Sequence, residues 1–512
     1  GLLQQRPHRR REFDTRHPWT PAIAAALAAT LLGLTACTTA AASPTPHAAD
    51  TPRPGAAGLG DRLHPGLGNG GYDVRHYDLN LRFTKDLKQY TATSTVQARA
   101  SHALSRFNLD LTGTTVREVT VDGRTARWSR SGEELRVTPA VPLRRGERFT
   151  VRVRIQAPVP DTRQAAQLGT GPVVGMFRDG SWVQTINQPS GAHRIAALAD
   201  HPAQKAPATI TITAPSRLNS IANGELSATR REGAYTTRRF ESRRKLATEL
   251  LQIGVGPFTV VHKQGPHGIK LRYALPTEQA RAIEPQLNRT VPEAIRFLEH
   301  RLGRGGFPLR TYGVYATPVG GELETQSLTL LPAGHLTPEG FADNGTDGVV
   351  EHEISHEYFG NSVSPRRWSD LWLNEGHAVY YETLWTAERH GVNAEQSIRE
   401  MYRKANANLR KEGPIAAPRR GAFKPQALAP YGWTPYQGGA LTLYALRQKV
   451  GEADFRRIER AWIREHRDGV ADTADFIRLA GRVTGRDLGP FLRSWLYAEK
   501  VPPMPGHPDW RS

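Results

Sequence analysis

Two histidines and two glutamates in one short stretch of this 512-residue chain have the types and spacing that chemistry needs. The run Glu351-His352-Glu353-Ile354-Ser355-His356 contains the pattern H-E-x-x-H. Residues four apart on an α-helix are separated by about 40° around its axis and one turn along it. His352 and His356 therefore project from one face and can hold one metal ion. Glu353 lies one step round, where it can reach a water at the metal without ligating the metal. Neutral imidazoles suit zinc, and a catalytic zinc takes three protein ligands and keeps one position open. Glu375, in Trp372-Leu373-Asn374-Glu375-Gly376, follows His356 after 18 intervening residues and is the candidate third ligand.

Such a site needs two helices in contact. The first spans the H-E-x-x-H run. The second is expected to start after Ser369, which can cap it, and to run through Leu373, Ala378, Tyr381 and Leu384 toward Gly391. Residues 361–368 would join them and bring Glu375 under the histidines. His377, two residues further on, is expected to be a pocket or packing residue, because a fourth protein ligand would close the position that water needs.

The rest of the chain divides by texture. Tyr77, Leu79, Leu81 and Phe83 alternate with polar residues, as do Phe149, Val151, Val153 and Ile155. This period of two, broken at Asp122-Gly123 and Ser131-Gly132, predicts an antiparallel β domain over residues 69–262. Residues 263–502 are mixed, then mostly helical. They begin with a strand at Ile269, Leu271 and Tyr273, a helix over 277–302 ended by Gly303, and strand-like segments around Gly320-Gly321. Residues 503–512 read as a C-terminal tail. Residues 37–68, rich in Ala, Thr, Pro and Gly, read as a flexible tether.

The N-terminus carries a different signal. Arg6, Arg9, Arg10 and Arg11 precede an apolar run of about 14 residues, 21–34, and then Leu34-Thr35-Ala36-Cys37. A basic region, a short apolar region and small residues predict a signal peptide over residues 1–36. The apolar run is too short for a comfortable membrane span. The last four residues resemble a bacterial lipobox, which implies cleavage before Cys37 and a lipid on its thiol. Arg10-Arg11-Glu12-Phe13 also resembles part of a twin-arginine export signal. The expected location is the outer face of a bacterial cell membrane, or free secretion if the lipobox is not used.

Composition sets the outer bounds. Hydrophobic residues make up 38% and charged residues 23%, which excludes a membrane bundle and a disordered chain. Cys37 is the single cysteine, so no internal disulfide framework is available. The net charge is +19; residues 1–36 carry five arginines against Glu12 and Asp14, leaving about +16 for the remainder. That charge can attract anionic polymers or headgroups. The arginines are spread along the chain with no nucleic-acid motif, so no nucleic-acid partner is expected. Nothing in the sequence specifies an oligomeric state.

His352 to His356, then Phe359-Gly360-Asn361, then Trp372-Leu373-Asn374-Glu375-Gly376, resemble the aminopeptidase N family of gluzincin metallopeptidases. The resemblance covers about residues 70–500. It implies a multidomain α and β fold, with an antiparallel β-sandwich-like domain followed by a thermolysin-like α+β catalytic domain. It implies one zinc ion per chain, held by His352, His356 and Glu375, with Glu353 as general base. In that family a Gly-Ala-Met-Glu-Asn strand lies along the substrate. The matching segment here is Gly321-Glu322-Leu323-Glu324-Thr325, so Gly321 and Leu323 would line the substrate and Glu324 would hold its α-ammonium. Pro435-Tyr436-Gln437-Gly438-Gly439 resembles the setting of the family's oxyanion-stabilising tyrosine, which makes Tyr436 the candidate and Tyr431 its rival. Gln188, in Gln188-Pro189-Ser190-Gly191-Ala192-His193, stands where the family often has an amine-binding glutamate, and Asp200-His201-Pro202 and Lys205-Ala206 continue the resemblance.

The implied activity is removal of residues from peptides with a free N-terminus. Many members continue into a large helical domain that covers the site. The residues after the metal helices are too few for one here, which implies a two-domain form with an open cleft that accepts longer peptides. The rival readings are a zinc endopeptidase, a zinc hydrolase of another bond, and a non-catalytic lipid-anchored binding protein.

Overall fold

The computed structural model describes residues 50–162, 174–421 and 432–512. The signal peptide, Cys37 and Tyr431 lie outside the described residues. No helix among them is long and apolar enough to cross a membrane.

The alternating segments become the strands of an eight-stranded sheet. Tyr72–Phe83 pairs with Gln89–Ala100, which pairs with Arg148–Pro158. Tyr77, Leu79, Leu81 and Phe83 all point inward, as the period of two requires. Each pairing in this sheet is antiparallel except that of Tyr72–Phe83 with Ala206–Pro215. More than a hundred residues separate those two strands, so the chain has the length to return in the same direction. Two four-stranded sheets complete the β domain, Arg53–Pro54, Leu104–Asp110, Glu134–Thr138 and Arg127–Ser131 in one, and Gly175–Asp179, Trp182–Ile186, Ile253–Gly256 and Asn219–Ala222 in the other. Their inner faces share one apolar core, which extends to Tyr315, Leu323, Leu328 and Leu330 of the catalytic half.

The catalytic half opens with the sheet Phe258–Gln264, Lys270–Pro276, Thr311–Thr317 and Thr329–Pro332. Among the described residues, eight helices of eight or more residues follow in the order α1 (Ala280–Leu302), α2 (Thr346–Tyr358), α3 (Trp372–His390), α4 (Ala394–Glu412), α5 (Gly439–Val450), α6 (Glu452–Glu465), α7 (Thr473–Thr484) and α8 (Gly489–Leu496). Gly303 and Gly391 end α1 and α3 as expected. α2 is buried on almost every side, against α1 and α3, which is why its sequence shows no apolar stripe.

Two expectations fail. Over residues 50–68 the tether is a packed strap. Asp61 is buried and accepts hydrogen bonds from His201 Nε2 at 2.8 Å and Trp368 N at 2.9 Å. The Gly68 amide donates to Asp110 and the Asn69 amide to Gln204. A small, polar composition does not keep a segment loose when its polar groups find buried partners. The C-terminal tail, 503–512, packs on the helical half: Met504 and Trp510 are buried and Trp510 stacks on Tyr444 of α5. Ser369 caps nothing: the residue before α3 is Leu371, and Asp370 instead receives the Thr473 amide at the start of α7.

Candidate active site

α2 and α3 place the predicted residues together. Ligand atoms of His352, His356 and Glu375 all lie within 4.8 Å of one another. A Glu375 carboxylate oxygen stands 3.4 Å from His352 Nε2 and 3.1 Å from His356 Nε2. The two imidazole rings are 4.9 Å apart at 74°. Glu324, Glu353 and His356 form a second trio within the same limit. It offers one imidazole where the first offers two, and zinc favours the nitrogen-richer set.

The chain also orients those rings. His352 Nδ1 faces Glu382 at 3.1 Å, and His356 Nδ1 faces the Phe359 carbonyl oxygen at 3.0 Å. With an N–H at each Nδ1, both Nε2 lone pairs converge beside the Glu375 carboxylate. Glu353 Oε2 is buried and has no hydrogen-bond partner among the described residues. Two aligned imidazoles, a convergent carboxylate and an unsatisfied glutamate one step away fit a bound zinc and a water beside it.

The electrostatics agree. Burial alone would lower the histidine pKa values, but Glu375 and Glu382 outweigh it at His352, which is held well above the ordinary range. Against the same burial, Glu375 and Glu324 raise His356 to about 10. Burial also opposes ionisation of Glu375, yet His356 and His352 hold it down at about 2. Burial pushes Glu353 up to about 8 and raises Glu324. The cavity therefore draws positive charge to the point between the two Nε2 atoms and Glu375.

Glycines let the elements meet. Gly360 has a φ of +115°, and a Cβ there would stand 3.1 Å from the Asn374 side chain. A Cβ on Gly376 would meet Gly439 Cα at 2.6 Å, so α3 and the start of α5 pack backbone to backbone. Tyr436 sits three residues before Gly439, in a π-helical turn, Thr434–Gly438. Glu412 receives the Trp433 and Thr434 amides at the start of that turn. Tyr436 also packs against the small cluster of Leu67, Trp368 and Leu371, as does Leu63, so the strap that fails as a tether shares a core with it.

Glu324 is buried, with a carboxylate oxygen 4.0 Å from His356 Nε2. Leu323, beside it, bridges to Leu330. Gly321 has a φ of +95° and lies against Ile186 of the β domain, while Gln184 Nε2 donates to the Gly320 carbonyl oxygen at 2.8 Å. Gln188 is buried two residues beyond Ile186 and is not among the residues grouped at the metal cluster. His377 takes no part in the metal cluster either. It donates to or accepts from Glu459 at 2.9 Å and stacks on Phe359 at 3.9 Å, which is packing as expected.

Asp370 and Asn374, near the ligands in sequence, do not support the histidines. Glu382 does, and it was legible in principle: it lies seven residues after Glu375, two turns along the same face of α3. The Phe359 carbonyl carries no side-chain signal.

Comparison with known proteins follows the same division. Residues 74–250 match the peptidase M1 N-terminal domain, and residues 330–495 match the peptidase family M1 domain. The chain is 24% identical over 448 residues to aminopeptidase N of Streptomyces lividans, covering 83% of this chain and 50% of that protein. It is 23% identical over 442 residues to the tricorn protease-interacting factor F2 of Thermoplasma acidophilum, covering 81% and 52%. The chain thus spans about half the length of these curated relatives. An M1 zinc metallopeptidase from Deinococcus radiodurans superposes with a TM-score of 0.74 at 27% identity, covering 88% of this chain and 98% of that one. A mutant of that enzyme bound to a Tyr-Ser-Ala substrate superposes equally well, with a TM-score of 0.74 at 27% identity, covering 88% and 100%.

Proposed function

This chain belongs to peptidase family M1, with that family's two-domain zinc metallopeptidase fold, and from that premise we propose that it is an aminopeptidase, hydrolysing the first peptide bond of peptides with a free N-terminus. The observation that carries this reading is the station of Glu324. Its buried carboxylate lies 4.0 Å from a nitrogen of the metal set. A substrate ammonium pairs with it and so presents its first carbonyl to the metal side of the cavity. A blocked N-terminus leaves that carboxylate buried and unpaired, at substantial cost. The aminopeptidase relatives and the Tyr-Ser-Ala complex of the Deinococcus enzyme support the same substrate class.

His352, His356 and Glu375 would hold the zinc ion, and when bound it supplies Lewis acidity toward the scissile carbonyl and the attacking water. Glu353 accepts a proton from that water as its oxygen bonds to the carbonyl carbon. It then delivers the proton to the leaving nitrogen as the C–N bond breaks. Its unpartnered Oε2 leaves it available for both transfers. Tyr436, seated by the Gly376–Gly439 contact, donates its phenol proton toward the developing oxyanion. Gly321 and Leu323 line the substrate's path beside Glu324, and Gln188 supports the amine end.

The test is a matched pair of peptides, one free and one acetylated at its N-terminus, each with and without a zinc chelator. Trimming of the free peptide alone, stopped by the chelator, is the expected result. Equal cleavage of both would make the enzyme an endopeptidase.

We further propose that the chain is exported and held at the membrane by a lipid on Cys37. The basic residues 6–11, the apolar residues 21–34 and the single cysteine support this. Labelled palmitate should enter the wild-type protein and not Cys37→Ser; labelling of both would exclude this attachment site.

A further inference from the structure

Lys205 is the last residue before the strand Ala206–Pro215 of the β domain, yet its side chain ends in the catalytic half. It is 5% exposed, and its Nζ donates to Asn361 O at 3.1 Å, Ser362 O at 3.0 Å and Ser364 Oγ at 2.9 Å. An ammonium has three donors, and all three are used on one short connection. No carboxylate forms an ion pair with it among the described residues. Burying a cation on neutral acceptors is costly, so its placement asks what it secures.

The connection it grips is the one that leaves the metal helix. The Asn361 amide donates to His356 O at 3.0 Å and the Ser362 amide to Glu357 O at 3.0 Å, so residues 361–362 wrap the C-terminal end of α2. A cation near that end also meets the negative pole of the helix. From this fixed position Asn361 Nδ2 donates to the Glu324 carbonyl oxygen at 2.8 Å. A second tie joins the same two elements, because the Glu357 carboxylate on α2 accepts the Ser327 amide at 3.0 Å. Glu324 is therefore not held by its own segment alone. It is spaced from His356 by a polar network that the β domain closes through Lys205.

We propose that Lys205 and Asn361 are positioning residues that set the distance between the amine anchor Glu324 and the metal ligands, and so determine that one residue is removed per cleavage. This inference rests on the reading of Glu324 as the amine anchor. An aminopeptidase needs that spacing constant, since a shift of the anchor by one residue's length would present the second peptide bond instead of the first. Neither Asn361 nor Lys205 belongs to the metal cluster, and Asn361 meets the substrate-lining segment at the Glu324 carbonyl oxygen, so their effect passes through Glu324.

The experiment compares zinc-loaded wild type, Lys205→Met, Asn361→Ala and Glu324→Ala on a free and an acetylated peptide of the same sequence, with products identified by mass. Both positioning variants should keep stoichiometric zinc. Their KM for the free peptide should rise about tenfold or more with a smaller change in kcat, and the preference for the free peptide should fall by a similar factor. Dipeptide products should appear beside single residues. Adding Glu324→Ala to either variant should cost less than the two separate losses combined. Unchanged preference and single-residue products in a folded, zinc-loaded variant would overturn the inference while leaving the anchor reading intact. A wild type that cleaves both peptides equally would overturn the anchor reading and this inference with it. Should Lys205→Met fail to fold, Asn361→Ala decides alone, because it cuts the link to Glu324 with Lys205 in place.

Discussion

His352 and Glu382 stand on neighbouring helices with Nδ1 3.1 Å from a carboxylate oxygen, and this contact turns the other ring nitrogen to within 3.4 Å of Glu375. The imidazole is aimed from behind. Glu382→Ala should leave the fold intact and lower zinc affinity by about 10- to 100-fold, measured by competition with a chelating dye. Unaltered affinity would show that packing alone orients the ring.

Glu353 is in the second acidic trio but is not needed as a ligand. Glu353→Gln should lower kcat by roughly 10²- to 10⁴-fold while zinc stays bound, measured by turnover and metal content on the same sample. Loss of zinc would instead make Glu353 part of the metal's hold.

Gly376 follows Glu375 and touches Gly439, which leads the helix after Tyr436. An added methyl group would stand 2.6 Å from Gly439 Cα, with backbone rather than a movable side chain in its way. Gly376→Ala should destabilise the protein by about 1–3 kcal/mol and reduce kcat by separating Tyr436 from Glu375. Urea unfolding and steady-state kinetics test both parts, and wild-type values in each would show that the helices can part freely.

In the β domain, His193 lies buried 2.6 Å from Asp200 and 3.5 Å from Glu133. Burial alone would lower its pKa, but the two carboxylates raise it from 6.5 to about 10. A folded value above the unfolded one means the stabilisation is full below about pH 6.5 and is lost as the pH rises through the folded value. Unfolding free energy should therefore fall between pH 6.5 and 10, and His193→Gln should flatten that slope. An equal slope in the variant would place the pH dependence elsewhere.

Much of the site was open to reading because helical spacing is a local property. Two histidines four apart share a face wherever the helix lies, and a third ligand in a second helical pattern needs only that the helices touch. The β domain was legible for the same kind of reason, since inward and outward residues must alternate on a half-buried strand. Composition misled where it was used as a proxy for looseness. Residues 50–68 look like a linker, yet Asp61 finds His201 and Trp368, and no local pattern announces partners more than a hundred residues away.

The amino-acid sequence by itself therefore determined the order of a β-rich half before a helical one, and which histidines and glutamates share a helix face and so are candidates for chemistry. The tertiary structure decided the geometry in which that chemistry can act. Glu382 behind His352, the Phe359 carbonyl behind His356, the glycine contact that seats Tyr436 and the Lys205–Asn361 link to Glu324 all join residues from separate elements. Their worth depends on distances of about 3 Å between groups that the chain leaves far apart, and hydrogen bonds of that kind exist only once the core has closed around them.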